Sequence, residues 1–179
     1  MKRVFAAAGA ALMLLGLAAC GGAEASDGRI GDTQETYFFD FTINSACLTE
    51  EYAGYVPAEG NTLLVAEVTV KNTDRVSIEM YDTDFQLSWG DGDDAFCYPI
   101  TTDMETFEEL DPVGPDQLPG TYPLAVDEER TGELVYEVPE GQADFSIAYL
   151  ELFDDGTEEG ETGDAYFVYF TATESPAAV

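Results

Sequence analysis

The sequence has no histidine, and only six lysines and arginines stand against 37 aspartates and glutamates in its 179 residues. Without histidine, the chain cannot build a Ser-His-Asp or Cys-His nucleophile system, an imidazole zinc site or a histidine proton switch. Its net charge of −31 also repels the phosphates of nucleic acids. The composition therefore excludes histidine-dependent catalysis and a nucleic-acid partner.

The chain is nevertheless apolar enough to fold. Hydrophobic residues make up 45% of it and aromatic residues 12%, so the acidity does not indicate a disordered protein. A length of 179 residues suits one ordinary domain with additional segments at the ends.

The first twenty residues have the features of an export signal. Lys2 and Arg3 precede an apolar run over 4–19, which is too short to span a bilayer comfortably. The run ends in Leu-Ala-Ala-Cys, which resembles the bacterial lipobox, where the chain is cut before a cysteine that carries lipid. We therefore predict a signal peptide over 1–19 and lipid on Cys20, which would hold the protein at the extracytoplasmic face of a bacterial membrane. An ordinary secretion signal and an uncleaved anchor are the alternatives.

Residues 20–34 are small and polar and have no apolar period, so they predict a flexible tether behind the lipidated cysteine. Removal of residues 1–19 leaves four cations against 37 carboxylates, a net charge of −33.

Two cysteines remain once Cys20 is assigned to the lipid. In an exported chain, Cys47 and Cys97 predict a disulfide that closes a long loop and contributes roughly 4 kcal/mol. Two buried thiols are the alternative.

From Glu35 onward, apolar residues recur with a period of two, which is typical of strands with one buried face. Turn-forming clusters separate these runs, and helical periodicity is almost absent, so the pattern predicts an all-β sandwich of about seven strands. The clearest runs begin at Phe39, Leu64, Phe85, Leu134, Phe145 and Ala165. Residues 101–123 contain several prolines and predict a long surface excursion with one helical turn at 103–110.

Three segments resemble a known family in the expected order: Gly60–Thr73, Asp84–Leu87 and Gly132–Pro139. The family consists of bacterial surface lipoproteins of unknown function, whose immunoglobulin-like sandwich is related in fold to secreted "immunoprotective extracellular" antigens. The resemblance implies an immunoglobulin-like antiparallel β-sandwich of about seven to eight strands over 35–173, followed by a disordered tail over 174–179. It supplies no catalytic residues. The family usually has Pro-Gly-Glu ahead of the third segment, where this chain has Val126-Asp127-Glu128.

The acidic loops offer one possible metal site. Asp91, Asp93 and Asp94 are rich in oxygen ligands of the kind Ca²⁺ prefers, and a second acidic cluster covers 154–164. Neither stretch has the spacing of a known calcium loop, so a solvated acidic loop is the preferred interpretation, without any cofactor.

The function expected from the sequence is a lipid-anchored, non-enzymatic binding module for an extracellular protein or glycan. A Ca²⁺-dependent adhesion or sensing module is the alternative, and a carboxylate-based glycan hydrolase is a remote one. Five tyrosines outside the clear strands suit either a binding face or the ends of the core: Tyr52, Tyr55, Tyr81, Tyr98 and Tyr122.

Overall fold

The computed structural model describes residues 24–90, 92, 95–153 and 161–174. Within these ranges the chain forms twelve strands and one turn of 3-10 helix, Asp82–Asp84. The strands are β1 (Ala25–Arg29), β2 (Thr33–Glu35), β3 (Phe39–Thr49), β4 (Asn61–Asn72), β5 (Ile78–Tyr81), β6 (Gln86–Ser88), β7 (Phe96–Cys97), β8 (Thr121–Leu124), β9 (Glu129–Pro139), β10 (Asp144–Phe153), β11 (Glu161–Thr171) and β12 (Thr173–Glu174). None of the described residues form a helix with the length and apolar character needed to cross a bilayer.

The strands build two sheets and a small ribbon. Sheet 1 has the order β1-β11-β10-β6-β7, sheet 2 has the order β12-β3-β4-β9 with β2 also on β3, and β5 pairs with β8. This architecture confirms the predicted β-sandwich. The predicted antiparallel pairing is wrong at two edges, because β1 joins β11 and β12 joins β3 in parallel. Both exceptions are strands at the ends of the described chain, which are not connected to their neighbours by hairpins.

The core lies between the two sheets and is built from the alternating positions. Phe39, Phe41 and Ile43 of β3 are all at most 1% exposed. The ring centroids of Phe39 and Tyr149 lie 4.7 Å apart, within the range of favourable aromatic pairs. Further fully buried side chains include Phe85, Leu87, Leu124, Leu134 and Tyr136.

A second, smaller apolar cluster covers the outer face of sheet 2. Leu63, Val65 and Val135 are buried there, and Tyr52 and Tyr55 pack against them. The hydroxyl of Tyr55 donates to Glu137 at 2.8 Å, so this ring is held at both ends. None of the five tyrosines considered for a binding face is exposed, which is the arrangement expected of residues that cap a core.

Much of the tether predicted over 20–34 forms strands in the structure. Residues of β1 pair with β11 from Ala25 opposite Ala165 to Arg29 opposite Tyr169, and β2 pairs with β3. The tether prediction is therefore wrong from Ala25 onward. The predicted disordered tail over 174–179 is wrong at Glu174, which belongs to β12. Edge strands need only backbone hydrogen bonds, which a small polar sequence supplies without an apolar period.

The predicted disulfide is also wrong, because Cys47 and Cys97 are thiols. Cys47 lies on β3 opposite Val65 and packs with the outer cluster of sheet 2. Cys97 lies on β7 of sheet 1, and its side chain belongs to the main core. Sheet 2 thus separates the two sulfur atoms, and burial raises the pKa of the Cys97 thiol well above its usual range.

We expect millimolar dithiothreitol to leave the melting temperature unchanged, because the fold contains no Cys47–Cys97 bond to reduce. Loss of a disulfide closing so long a loop would remove roughly 4 kcal/mol, which thermal unfolding detects easily. Thiol titration of the denatured, unreduced protein is the second measurement, and a missing pair of thiols would contradict the structure.

Candidate functional site

The long connection between β7 and β8, residues 98–120, is a well-anchored surface segment. It follows the free edge of β9, where Ile100 N–H donates to the Val135 carbonyl at 2.8 Å. Further along, Leu118 N–H donates to the Glu133 carbonyl at 2.9 Å, and Glu133 N–H donates to Asp116 at 2.8 Å. These bonds extend sheet 2 beyond β9, so the segment is fixed although it contains no regular strand. Of the helical turn predicted at 103–110, the structure forms one turn, closed by the bond from Phe107 N–H to the Asp103 carbonyl, and no longer helix.

A buried carboxylate fastens the start of this segment. Asp82 is 1% exposed and accepts hydrogen bonds from the hydroxyls of Thr101 at 2.6 Å and Thr102 at 3.0 Å. Burial raises the pKa of Asp82 to about 6, although these hydrogen bonds act in the opposite direction. A raised carboxyl pKa is what acid catalysis requires, but this carboxyl is closed to solvent. The geometry assigns Asp82 to holding the segment in place.

A tight turn follows over 103–108. The Asp103 carboxylate accepts from the backbone N–H groups of Glu105 at 2.9 Å and Thr106 at 2.7 Å, and these bonds lower the pKa of Asp103. Phe107 N–H donates to the Asp103 carbonyl at 2.8 Å. Phe107 has a φ of +56°, in the left-handed region that side chains other than glycine rarely adopt. Its position at the tip of the turn is therefore fixed by the hydrogen bonds around it.

The turn and the residues after it expose a group of large apolar side chains, which we name the apolar patch. Its members are Met104, Phe107, Leu110 and Val113, with exposed fractions of 40%, 50%, 46% and 40%. The Phe107 ring is braced by Tyr98, whose centroid lies 6.3 Å away. Carboxylates surround the patch in sequence at positions 103, 105, 108, 109 and 111.

An acidic groove of about 460 Å³ begins where the apolar patch ends. Val113 N–H donates at 2.9 Å to Gln117, which lines the groove. Glu67 and Glu133 also line it and lie directly opposite each other on β4 and β9. Like charges at such a cross-strand pair repel, so a cationic group would be favoured between them. Arg130, on the same groove, is engaged by Glu128 at 3.1 Å.

Several predicted site residues lie outside the described residues: the lipid-attachment residue Cys20, the calcium candidates Asp91, Asp93 and Asp94, and residues 154–160 of the second acidic cluster. Their assignments stay predictions. Across the part of the chain that the structure does describe, no three Asp, Glu or Cys side chains are placed to hold a metal ion.

Neither Asp82 nor the apolar patch was predicted from the sequence. The available signals were weak: an exposed Met-x-x-Phe-x-x-Leu pattern within a proline-containing segment, and one aspartate among many. Which aspartate is buried depends on the packing of residues distant in sequence.

The fold and this surface define a small β-sandwich protein with an elaborated loop between β7 and β8. Residues 28–159 match the model of a domain of unknown function, DUF4352, and the chain belongs to this family. Among curated proteins, no sequence matches the chain.

Three solved structures show similar folds. The yjhA protein of Bacillus subtilis is 22% identical with a TM-score of 0.54, and the match covers 79% of this chain and 97% of that one. The ycdA protein of Bacillus subtilis, named as a candidate lipoprotein, is 16% identical with a TM-score of 0.52; the match covers 78% of this chain but only 38% of that one. An uncharacterized β-sandwich protein of Clostridium difficile is 14% identical with a TM-score of 0.47, over 86% and 99% of the two chains. At these identities, the likeness to the two Bacillus proteins bears on the fold alone.

Proposed function

We propose that this protein is a lipid-anchored, extracytoplasmic binding module without catalytic activity, attached to a bacterial membrane through Cys20. The lipobox-like end of the signal supports the anchor. The name of the ycdA protein, which has a similar fold, is consistent with it. The module acts by holding a partner, and the apolar patch is its binding surface.

The observation that carries the binding role is the rigid exposure of four large apolar side chains in one short segment. Single exposed apolar residues are ordinary, but four within the ten residues 104–113 exceed scattered exposure, and a concentration of exposed apolar side chains marks an interaction site. Phe107 is the central anchor, because its ring is half exposed and its backbone is held in an unfavourable conformation. Such backbone conformations concentrate at functional sites.

The chemistry of the surface favours a protein partner with an apolar pocket and a basic rim. Aliphatic side chains form most of the patch, whereas a glycan site would present the flat faces of aromatic rings. The surrounding carboxylates and the acidic groove complement lysine and arginine side chains on the partner. Such complementary charges accelerate association, and this acceleration declines with added salt.

We expect a photo-crosslinking amino acid placed at Phe107 to yield a discrete cross-linked product in the cells that make this protein. The same amino acid at Ile30, which is 36% exposed in the turn between β1 and β2 at the opposite edge of the sheets, should yield none. Leu110→Asp combined with the probe at 107 should abolish the product, because a charge in the core of an interface is strongly unfavourable. Equal labelling from positions 107 and 30 would contradict the proposed surface.

The binding defect can be separated from misfolding with Phe107→Gly. Glycine relieves the left-handed backbone, which costs about 1–2 kcal/mol for other residues, while loss of the Tyr98 contact costs about 0.5–1.5 kcal/mol. The free energy of unfolding should therefore change little, while cross-linking from a probe at neighbouring Met104 is lost. Ala53→Gly, at another positive φ of 50°, is the matched control that keeps this cross-link.

A further inference from the structure

One end of the sandwich, which we name the basal end, gathers the first described residue, Glu24, and three loops. The register places these loops together: Phe39, at the end of the 36–38 loop, is opposite Asn72, where the 73–77 loop begins. Lys71 is opposite Glu129, which follows the third loop, 125–128. Ala25 begins β1 at this same end, because it pairs with Ala165 near the start of β11. The preceding residue, Asp164, donates its N–H to the Glu151 carboxylate, which also accepts from the N–H of Tyr37 in the 36–38 loop.

Each basal loop carries one large apolar side chain that is directed to solvent. Tyr37 is 58% exposed, Val76 is 59% exposed and Val126 is 46% exposed. Leu152, near the end of β10, adds a fourth side chain at 42%. Three separate loops thus place apolar tips at one end of an otherwise strongly acidic molecule.

These tips are held by buried polar groups. The Asn72 amide donates to the carbonyls of Val76 at 2.9 Å and Ala125 at 3.0 Å, which joins two of the loops. Tyr37 N–H donates at 2.7 Å to the buried carboxylate of Glu151. The Tyr37 ring also meets that of Phe153 edge-on at 5.2 Å. The apolar tips therefore form a preorganised surface.

The geometry points to the basal end as a face that contacts the lipid bilayer, an inference that rests on the proposed lipid at Cys20. The five residue steps from Cys20 to Ala25 span at most about 18 Å even when fully extended. The lipid would hold the start of β1 at the membrane surface, and the basal end with it. Tyr37, Val76 and Val126 would then enter the boundary between headgroups and acyl chains, where tyrosine and aliphatic residues are stabilised.

This contact depends on apolar side chains and not on charge. Lys71 and Arg75 lie at the basal end, but the half-buried carboxylate of Asp74 and the exposed carboxylates of Asp127 and Glu129 lie there too. Attraction to anionic lipids therefore does not explain the arrangement. Insertion should accordingly persist in vesicles of neutral lipid and in molar NaCl, which screens surface charges.

Single-tryptophan variants of the lipidated protein test the inference in phosphatidylcholine vesicles that contain brominated acyl chains. In a Trp89→Phe background, tryptophan is placed at the basal end by Tyr37→Trp or Val76→Trp, and at the opposite end by Val56→Trp. We expect bromine to reduce basal emission by about twofold or more, with a shift to shorter wavelength, because the ring enters the acyl boundary. The Val56→Trp emission should stay unchanged.

The outcomes separate the two proposals. Vesicle flotation and the mass of the N-terminal peptide report lipidation, and Cys20→Ser is the unlipidated control. If the protein floats but Tyr37→Trp and Val76→Trp are quenched no more than Val56→Trp, the membrane-contacting face is refuted while the anchor stands. If the protein carries no lipid and does not float, both the anchor and this face are refuted.

Discussion

Acidification from about pH 7 to about pH 4 should raise the free energy of unfolding by up to about 3 kcal/mol through Asp82 alone. Burial raises the pKa of Asp82 to about 6 in the folded protein, whereas the ordinary value of 3.8 applies when the chain unfolds. Between these values the folded state binds a proton that the unfolded state does not, so folding becomes more favourable as the pH falls. Above pH 6 the carboxylate is charged in both states, and the folded protein bears the full cost of burying it.

Chemical denaturation of the wild type and of Asp82→Asn over this pH range measures the effect. Both proteins gain stability as the general repulsion among carboxylates declines, so the difference between their slopes isolates Asp82. Asp103→Asn is the matched control, because Asp103 is a carboxylate of the same connection with a lowered pKa, and its loss should not flatten the slope. Identical slopes for wild type and Asp82→Asn would show that Asp82 does not carry the predicted charge cost.

Asn72→Ala should destabilise the fold by about 3 kcal/mol, because several buried polar groups lose their partners at once. Asn72 is fully buried, and its amide donates to the carbonyls of Val76, Leu124 and Ala125 at 2.9–3.1 Å. Its side-chain oxygen accepts from Asp74 N–H at 2.8 Å. No other residue type of this size supplies both the donors and the acceptor.

Equilibrium unfolding in urea measures this loss, and Asn44→Ala is the matched control. Asn44 is only partly buried and makes one side-chain hydrogen bond, to Thr69 at 2.9 Å, so its removal should cost about 1 kcal/mol or less. Equal effects at positions 72 and 44 would contradict the role given to Asn72. Loss of the loop arrangement should also weaken the tryptophan quenching expected at the basal end, even where the variant still folds.

The main strands of the two sheets were predictable because apolar and polar residues alternate along each strand, as buried and exposed positions do in the structure. Phe39, Phe41 and Ile43 alternate with polar residues, and β3 is found there; the same holds for β4, β9, β10 and β11. Apolar positions on both faces around Leu64 and Val65 reflect the second cluster, which is covered by the loop directly before β4 and by Ile100 of a distant segment. A period of two is a local property, so it is visible without the fold.

The sequence by itself thus determined the all-β class, the main strands and the excess of acid, while the lipobox-like export signal stays a prediction. The tertiary structure alone decided that Ala25–Arg29 is an edge strand, that sheet 2 separates Cys47 from Cys97, and that Asp82 is buried. These properties depend on which residues meet across the fold, and the pairing of β1 with β11 joins residues about 140 positions apart. Local composition cannot distinguish a polar edge strand from a flexible tether, and it cannot distinguish one buried carboxylate from many exposed ones. In each case the two alternatives have the same local sequence and differ only in which distant residues they contact.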